Sequence, residues 1–146
     1  MSSLVFSHIA LSCTDPIAIE KFYTKHFGFR RGRVIPLGDD NQIVFLKNDQ
    51  NVYLELFKAD AERPAAKVDA GDGPHYSGVR HLAFQVDDVD AKVADMGDEA
   101  VITLGPLAFD AFIPGWKTAW VKDPEGNIVE ISQGYVDEEN PQPLNA

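Results

Sequence analysis

Hydrophobic and polar positions along the 146-residue chain fall into two similar series. The first opens on Ser7-His8-Ile9-Ala10-Leu11 and runs through alternating residues to Asp15. A helical stripe of Ile17, Ile19, Phe22, Tyr23 and Phe27 follows, with Pro16 at a first-turn position that tolerates proline. The second series opens on Arg80-His81-Leu82-Ala83-Phe84 and reaches Asp87-Asp88. It continues through Val89, Val93 and Met96, and Gly97 stops a shorter helix. Both series close on a strand with one glutamate among apolar neighbours, Val52-Tyr53-Leu54-Glu55-Leu56-Phe57 and Ile128-Val129-Glu130-Ile131.

Further strands are predicted between each helix and its closing strand. Arg33 to Leu37 and Gln42 to Lys47 serve the first half, and Val101 to Leu104 and Lys117 to Lys122 the second. Gly105-Pro106 and Pro114-Gly115 punctuate the passage between the last two, and Asp123-Pro124-Glu125-Gly126-Asn127 has the composition of a hairpin turn. The reading is a single α+β domain of two tandem βαβββ modules. Module 1 covers about residues 4–58, a linker 59–78 and module 2 79–134, followed by a flexible acidic tail, 135–146. A βαβββ unit of about 55 residues leaves one sheet face open, so the two sheets are expected to pair edge to edge or across a dimer.

Strand alternation decides which side chains share a face. Leu54 and Leu56 point one way and Glu55 the other, and the same logic sets Glu130 against Val129 and Ile131. His8 shares its face with Phe6, Ala10 and Ser12, and His81 lies opposite Leu82. If the helix covers the leucine-bearing face, each half aims one histidine and one glutamate into the opposite, concave face. His8 and Glu55 are 47 positions apart, His81 and Glu130 are 49. A solitary glutamate on a strand is ordinarily a solvated face and a solitary histidine a structural one, but both types recur at equivalent places. Two imidazoles and two carboxylates suit one divalent ion, Zn, Ni, Fe or Mn, and offer no soft thiolate. His26 is expected at the surface of the first helix and His75 in a loop.

Composition narrows the picture. The charge is −10, from 13 basic and 23 acidic residues. Residues 1–58 carry +1 and residues 59–146 carry −11. An acidic surface repels phosphate backbones, so neither nucleic acid nor membrane is expected as a partner. No apolar run approaches the ~20 residues that cross a bilayer. A single cysteine, Cys13, cannot build a disulfide framework; it reads as a small buried residue, and the chain as cytoplasmic.

These segments together resemble the vicinal oxygen chelate superfamily, which holds glyoxalase I, bleomycin-resistance proteins, extradiol dioxygenases, fosfomycin-modifying enzymes and methylmalonyl-CoA epimerase. The likeness covers residues 4–134 and implies that the two tandem βαβββ modules form a curved, half-open mixed sheet around a metal site. It rests on the two opening strands, on Phe22-Tyr23-Thr24-Lys25-His26-Phe27-Gly28-Phe29, on Tyr53-Leu54-Glu55-Leu56 and on Asp123 through Glu130. The His-Glu-His-Glu order of His8, Glu55, His81 and Glu130 is most similar to glyoxalase I. That resemblance implies a lyase or isomerase in which the metal chelates two adjacent oxygens of a small substrate, a 2-oxoaldehyde-thiol hemithioacetal, and the reaction passes through an enediolate. Glu130 would be the catalytic base, Glu55 its symmetric partner, and the two histidines the metal's anchors. It also implies a homodimer. Bacterial-type glyoxalase I holds glutathione with an arginine and an asparagine, and Ser12 and Ala59 stand at those positions here. The alternatives are another metal-dependent enzyme of the superfamily, a dioxygenase or epimerase, or a non-catalytic ligand-binding protein of the bleomycin-resistance type. Arg30, Arg31 and Arg33 could meet an anionic substrate or form a solvated strand edge; Phe109, Phe112 and Trp116 could line a pocket or fill the core.

Overall fold

The structure, a computed structural model, describes residues 3–144; the last two residues of the expected acidic tail lie outside the described residues. Two compact units are present. One is the chain up to Val68 with Asp123–Asn127, the other Asp69–Lys122 and the chain from Ile128 onward.

The first unit contains β1 (Ile9–Cys13), α1 (Pro16–Phe27), β2 (Arg30–Gly38), β3 (Asn41–Lys47) and β4 (Tyr53–Lys58). Its sheet runs β1-β4-β3-β2, with β1 parallel to β4 and the other pairs antiparallel. The second contains β5 (Leu82–Gln85), α2 (Val89–Met96), a 3₁₀ turn (Gly97–Glu99), β6 (Val101–Ala108), β7 (Lys117–Lys122) and β8 (Ile128–Gln133), in the order β5-β8-β7-β6. This is the expected βαβββ unit twice over, and the repeat holds to the single residue. Ala10 faces Glu55 as Ala83 faces Glu130, and Phe45 faces Glu55 as Trp120 faces Glu130.

The helix caps repeat as well. Asp15 accepts from the Ala18 amide at 3.1 Å and Asp88 from the Ala91 amide at 2.9 Å, each satisfying an amide that the first turn leaves without a partner. Gly28, at φ 69°, closes α1 in a left-handed conformation that costs glycine nothing. The β3–β4 and β7–β8 turns repeat too. Asn48 accepts from the Gln50 and Val52 amides, both at 3.0 Å. Asp123 accepts from the Glu125 and Asn127 amides, both at 2.9 Å.

Several expectations need correction. The stripe of α1 that is buried is Ile19, Phe22, Tyr23 and His26, whereas Ile17 is 61% exposed. Residues two apart on a helix point about 200° apart, so Ile17 cannot share a face with Ile19, while Ile19, Phe22, Tyr23 and His26 follow the spacing of one face. His26 is therefore not a surface residue; its ring packs edge-on against Phe22 at 5.2 Å. β2 starts at Arg30, three residues early, and β6 continues through Gly105-Pro106 to Ala108. A register shift between Leu104 and Leu107 lets the proline sit where no ladder donor is needed. Both histidines stand one residue ahead of their strands, which begin at Ile9 and Leu82. Cys13 is fully buried, and burial, joined by the nearby carboxylates of Glu125 and Asp123, pushes its thiol up to about 12.

Candidate metal centre

In the first unit, Glu55 projects from the middle of β4 on the face away from the buried Leu54 and Leu56. His8 approaches it from the residue before β1, and the imidazole Nε2 lies 3.0 Å from a Glu55 carboxylate oxygen. The other ring nitrogen, Nδ1, is 2.8 Å from the Ser7 hydroxyl, and the ring meets Phe45 edge-on at 5.8 Å. In the second unit, Nε2 of His81 lies 2.7 Å from a carboxylate oxygen of Glu130, and its ring is 6.4 Å from Trp120. Each pair is thus one histidine, one glutamate and one aromatic residue ten positions before the glutamate. All four side chains keep 15% to 37% of their surface exposed, so ions reach them from solvent.

The second pair shows what it needs. Nδ1 of His81 lies 2.6 Å from the backbone carbonyl of Asp72. A carbonyl only accepts, so Nδ1 carries the hydrogen and a neutral ring presents a lone pair at Nε2. That lone pair faces a carboxylate, and two acceptors cannot sit 2.7 Å apart with nothing between them. A proton satisfies the pair, and so does a metal ion. The side chains of each pair, 3.0 and 2.7 Å apart, are close enough to share one divalent ion. Anchoring the second ring nitrogen on a carbonyl is how metal-binding histidines are commonly held. The donor set therefore fits a divalent cation.

Asp72 is itself fixed. Its carboxylate takes two bonds from Arg80, at 3.0 and 3.1 Å, and one contact from His75 at 3.1 Å. Burial opposes its ionisation, but these donors outweigh that and hold its carboxyl below the usual range. Next to it, Gly73 has φ 113°, and a Cβ there would stand 2.0 Å from the Arg80 carbonyl oxygen. Only glycine lets the loop press close enough to deliver the Asp72 carbonyl to His81.

Among the described residues, no group of three or more His, Cys, Asp or Glu that could hold an ion is assembled. The structure brings His8 to Glu55 and His81 to Glu130, one pair in each unit. His75 contacts Asp72, the Phe109 ring lies tilted against Trp116 with centres 5.0 Å apart, and Phe112 is 78% exposed. The sequence reading missed Ser7, Asp72, Phe45, Trp120 and Thr118. The two aromatics could have been found from their common spacing to the glutamates. Thr118 has no such signal: its hydroxyl is 2.9 Å from Glu130 and 3.0 Å from the Ile131 carbonyl, and the equivalent residue in the first unit is Ile43.

Residues 5–131 match the family model of the glyoxalase/bleomycin resistance protein/dioxygenase superfamily, and the chain belongs to that superfamily. An uncharacterised protein of Escherichia coli K12, YaeR, is 30% identical over 135 residues, covering 85% of this chain and 92% of that one. A glyoxalase/dioxygenase from Nostoc punctiforme superposes with a TM-score of 0.67 at 20% identity, over 93% of this chain and 99% of that one. TnmS3, an antibiotic-binding protein from Streptomyces sp. CB03234, superposes with 0.63 at 20% identity, over 92% and 99%. No helix among the described residues is long and apolar enough to cross a membrane.

Proposed function

We propose that the protein is a metal-dependent enzyme of this superfamily, a glyoxalase-I-like lyase or isomerase. It would act in the cytoplasm as a homodimer on a small substrate with two adjacent oxygens. His8, Glu55, His81 and Glu130, drawn from one chain or from two, would hold one divalent ion, Ni, Zn, Fe or Mn. When bound, the ion supplies Lewis-acid polarisation of the substrate oxygens. The observation that carries this reading is the repeat of one His–Glu pair in both units, with Nε2 3.0 and 2.7 Å from a carboxylate oxygen.

The two glutamates differ in one respect that bears on their roles. Thr118 has one hydroxyl hydrogen and two acceptors within reach, Glu130 and the Ile131 carbonyl. With Glu130 ionised, the hydroxyl donates to it. With Glu130 carrying a proton, the hydroxyl turns to Ile131 and accepts from Glu130. Both states of a base that takes a proton from one carbon and returns it to the next are therefore hydrogen-bonded. Among the described residues Glu55 has no such group, which supports Glu130 as the base and Glu55 as ligand and symmetric partner. Ser12 and Ala59 favour a hemithioacetal of a thiol other than glutathione.

The test is metal content per chain, followed by turnover of methylglyoxal with a panel of thiols under added Ni²⁺, Zn²⁺, Fe²⁺ or Mn²⁺. One ion per chain and turnover with one thiol support the reading. Protein that takes up no ion yet binds small ligands would make it a binding protein of the bleomycin-resistance type. Oxygen uptake with a catechol would move it to the dioxygenases.

A further inference from the structure

β2 carries three arginines, and the structure separates their fates. Arg30 is paired with Asp49 at 2.7 Å. Arg31 stands beside Leu46 on the helix-covered face, where Glu20 of α1 binds its guanidinium at two points. A register shift at Gly32 then returns Arg33 to the face of Phe45. Arg33 there makes no ion pair among the described residues. Lys47, two positions from Phe45 on the same strand, makes none either; its nearest ring contact places the ammonium 6.0 Å from the centre of Tyr53. Arg33, Lys47, Phe45, Tyr53 and Gly32 line a cavity of about 500 Å³, to which Arg31 adds an edge. A second cavity of about 400 Å³ shares Phe45 and Tyr53 with it and reaches His8.

Two cations without counter-ions are notable in a chain of net charge −10, where carboxylates are plentiful. The repeat shows that they are not a requirement of the fold. The residue equivalent to Lys47 is Lys122, which is neutralised by Asp69 at 3.0 Å, and the residue equivalent to Arg33 is Leu104. Cross-strand pairing sets Arg33, Phe45, Glu55 and Ala10 in one row across the sheet. Arg33 is thus two strand spacings, about 10 Å, from Glu55.

We propose that Arg33 and Lys47 form an oxyanion subsite that takes the carboxylate, phosphate or phosphonate arm of the substrate. Phe45 and Tyr53 flank the apolar stem between that arm and the His8–Glu55 pair. The placement of the reacting end rests on the function proposed above; the anion site itself does not. Arg33 offers a planar fork that matches two oxygens of the anion, and Lys47 adds a point charge.

The experiment is an NMR titration of ¹⁵N-labelled, metal-free full-length protein with phenylphosphonate, benzoate and neutral benzamide, at fixed ionic strength. Shifts centred on the amides of Gly32, Phe45 and Lys47 are expected for at least one anion, and the stronger of the two names the oxyanion. Arg33→Gln and Lys47→Gln should each weaken that binding about tenfold, the loss of one charge-assisted contact in a partly exposed groove. Neither side chain supports the fold through an ion pair, so both variants remain testable. Benzamide binding as well as the anions, or wild-type anion affinity in both variants, overturns the subsite. His8→Ala and Glu55→Gln measured alongside should lose metal and keep the anion. Wild-type protein that takes up no metal but still discriminates the anions would sink the enzymatic reading and leave the subsite standing.

Discussion

The two hairpin turns give an internal control for what Asp123 does. Asn48 and Asp123 hold equivalent turns with equivalent pairs of amide bonds. Asp123 does two further things: it accepts from the Tyr23 hydroxyl at 2.9 Å and from the Asn127 side-chain amide at 2.8 Å. It is 3% exposed, and Tyr23 is fully buried. Asp123→Ala removes all four acceptor contacts. The two turn amides and the Asn127 side chain are only part-buried and cost about 0.5–1 kcal/mol each, while the buried Tyr23 contact costs about 1–3 kcal/mol, so about 2.5–6 kcal/mol is expected in all. Asp123→Asn keeps both turn bonds through its amide oxygen, as Asn48 does. Its NH₂ faces the Asn127 amide as donor against donor, while the Tyr23 hydroxyl can rotate to accept. About 1–2 kcal/mol is expected. Tyr23→Phe should cost about 1–2 kcal/mol alone and much less on top of Asp123→Ala, because the two deletions remove the same bond. Urea unfolding followed by far-UV circular dichroism, with a common m-value, measures the wild type, the three single variants and the double variant. A coupling below about 0.5 kcal/mol between the Tyr23 and Asp123 deletions, or equal losses for Asp123→Ala and Asp123→Asn, would refute the assignment.

Three further outcomes follow from the geometry. Thr118→Val, with the hydroxyl gone and the volume kept, should lower kcat about 10–100-fold at nearly unchanged KM, and Thr118→Ser should restore most of it; a kcat within twofold of wild type removes Thr118 from the proposed proton path. Burial, followed by the neighbouring Asp123, lifts Tyr23 well above its ordinary value of 10, and burial lifts Cys13 from 9.0 to about 12. Both groups hold their protons more tightly folded than unfolded. Their contribution to stability is complete below pH ~9 and is lost as the pH rises through the folded values. Unfolding midpoints between pH 8 and 11 should fall, and Cys13→Ala with Tyr23→Phe should flatten the slope. Finally, a divalent ion at a hundredfold excess over its dissociation constant should stabilise the wild type by about 2.7 kcal/mol, an effect abolished by chelator and lost in His81→Ala.

Much of this was legible in the sequence because the chain contains it twice. Each His–Glu pair, each aspartate at a helix start and each strand with its lone glutamate has a counterpart, and coincidence at one place becomes pattern at two. What was misread lacked that support or obeyed a different geometry. Ile17 and Ile19 read as one apolar stripe along the sequence although a helix turns them apart, and the polarity of His26 hides that its spacing assigns it to the buried face. Asp72 sits in a stretch without periodicity, where nothing local shows that a backbone carbonyl is aimed at His81. The strands ran longer than expected because bulges at Gly32 and at Gly105-Pro106 carry pairing past residues that read as breaks.

The same repeat separates scaffold from chemistry. Where the two units agree, the agreement is explained by folding or by the proposed shared ion: caps, turns, the His–Glu pairs and the aromatic beside each. Where they disagree, some differences still serve the fold, as the added Tyr23 bond of Asp123 over Asn48 does, while two others bear on the proposed chemistry. Thr118 against Ile43 gives one glutamate a hydroxyl that serves it with or without a proton and leaves the other glutamate without one. Arg33 against Leu104, and a Lys47 without an ion pair among the described residues against the neutralised Lys122, give the first unit a positive groove. On the proposed function and subsite, the first unit would hold the anionic arm of the substrate and Glu130 of the second would move the proton. On that argument Arg33→Gln should raise KM and spare kcat, and Thr118→Val should do the reverse. Identical effects from the two substitutions would show that the asymmetry carries no such meaning.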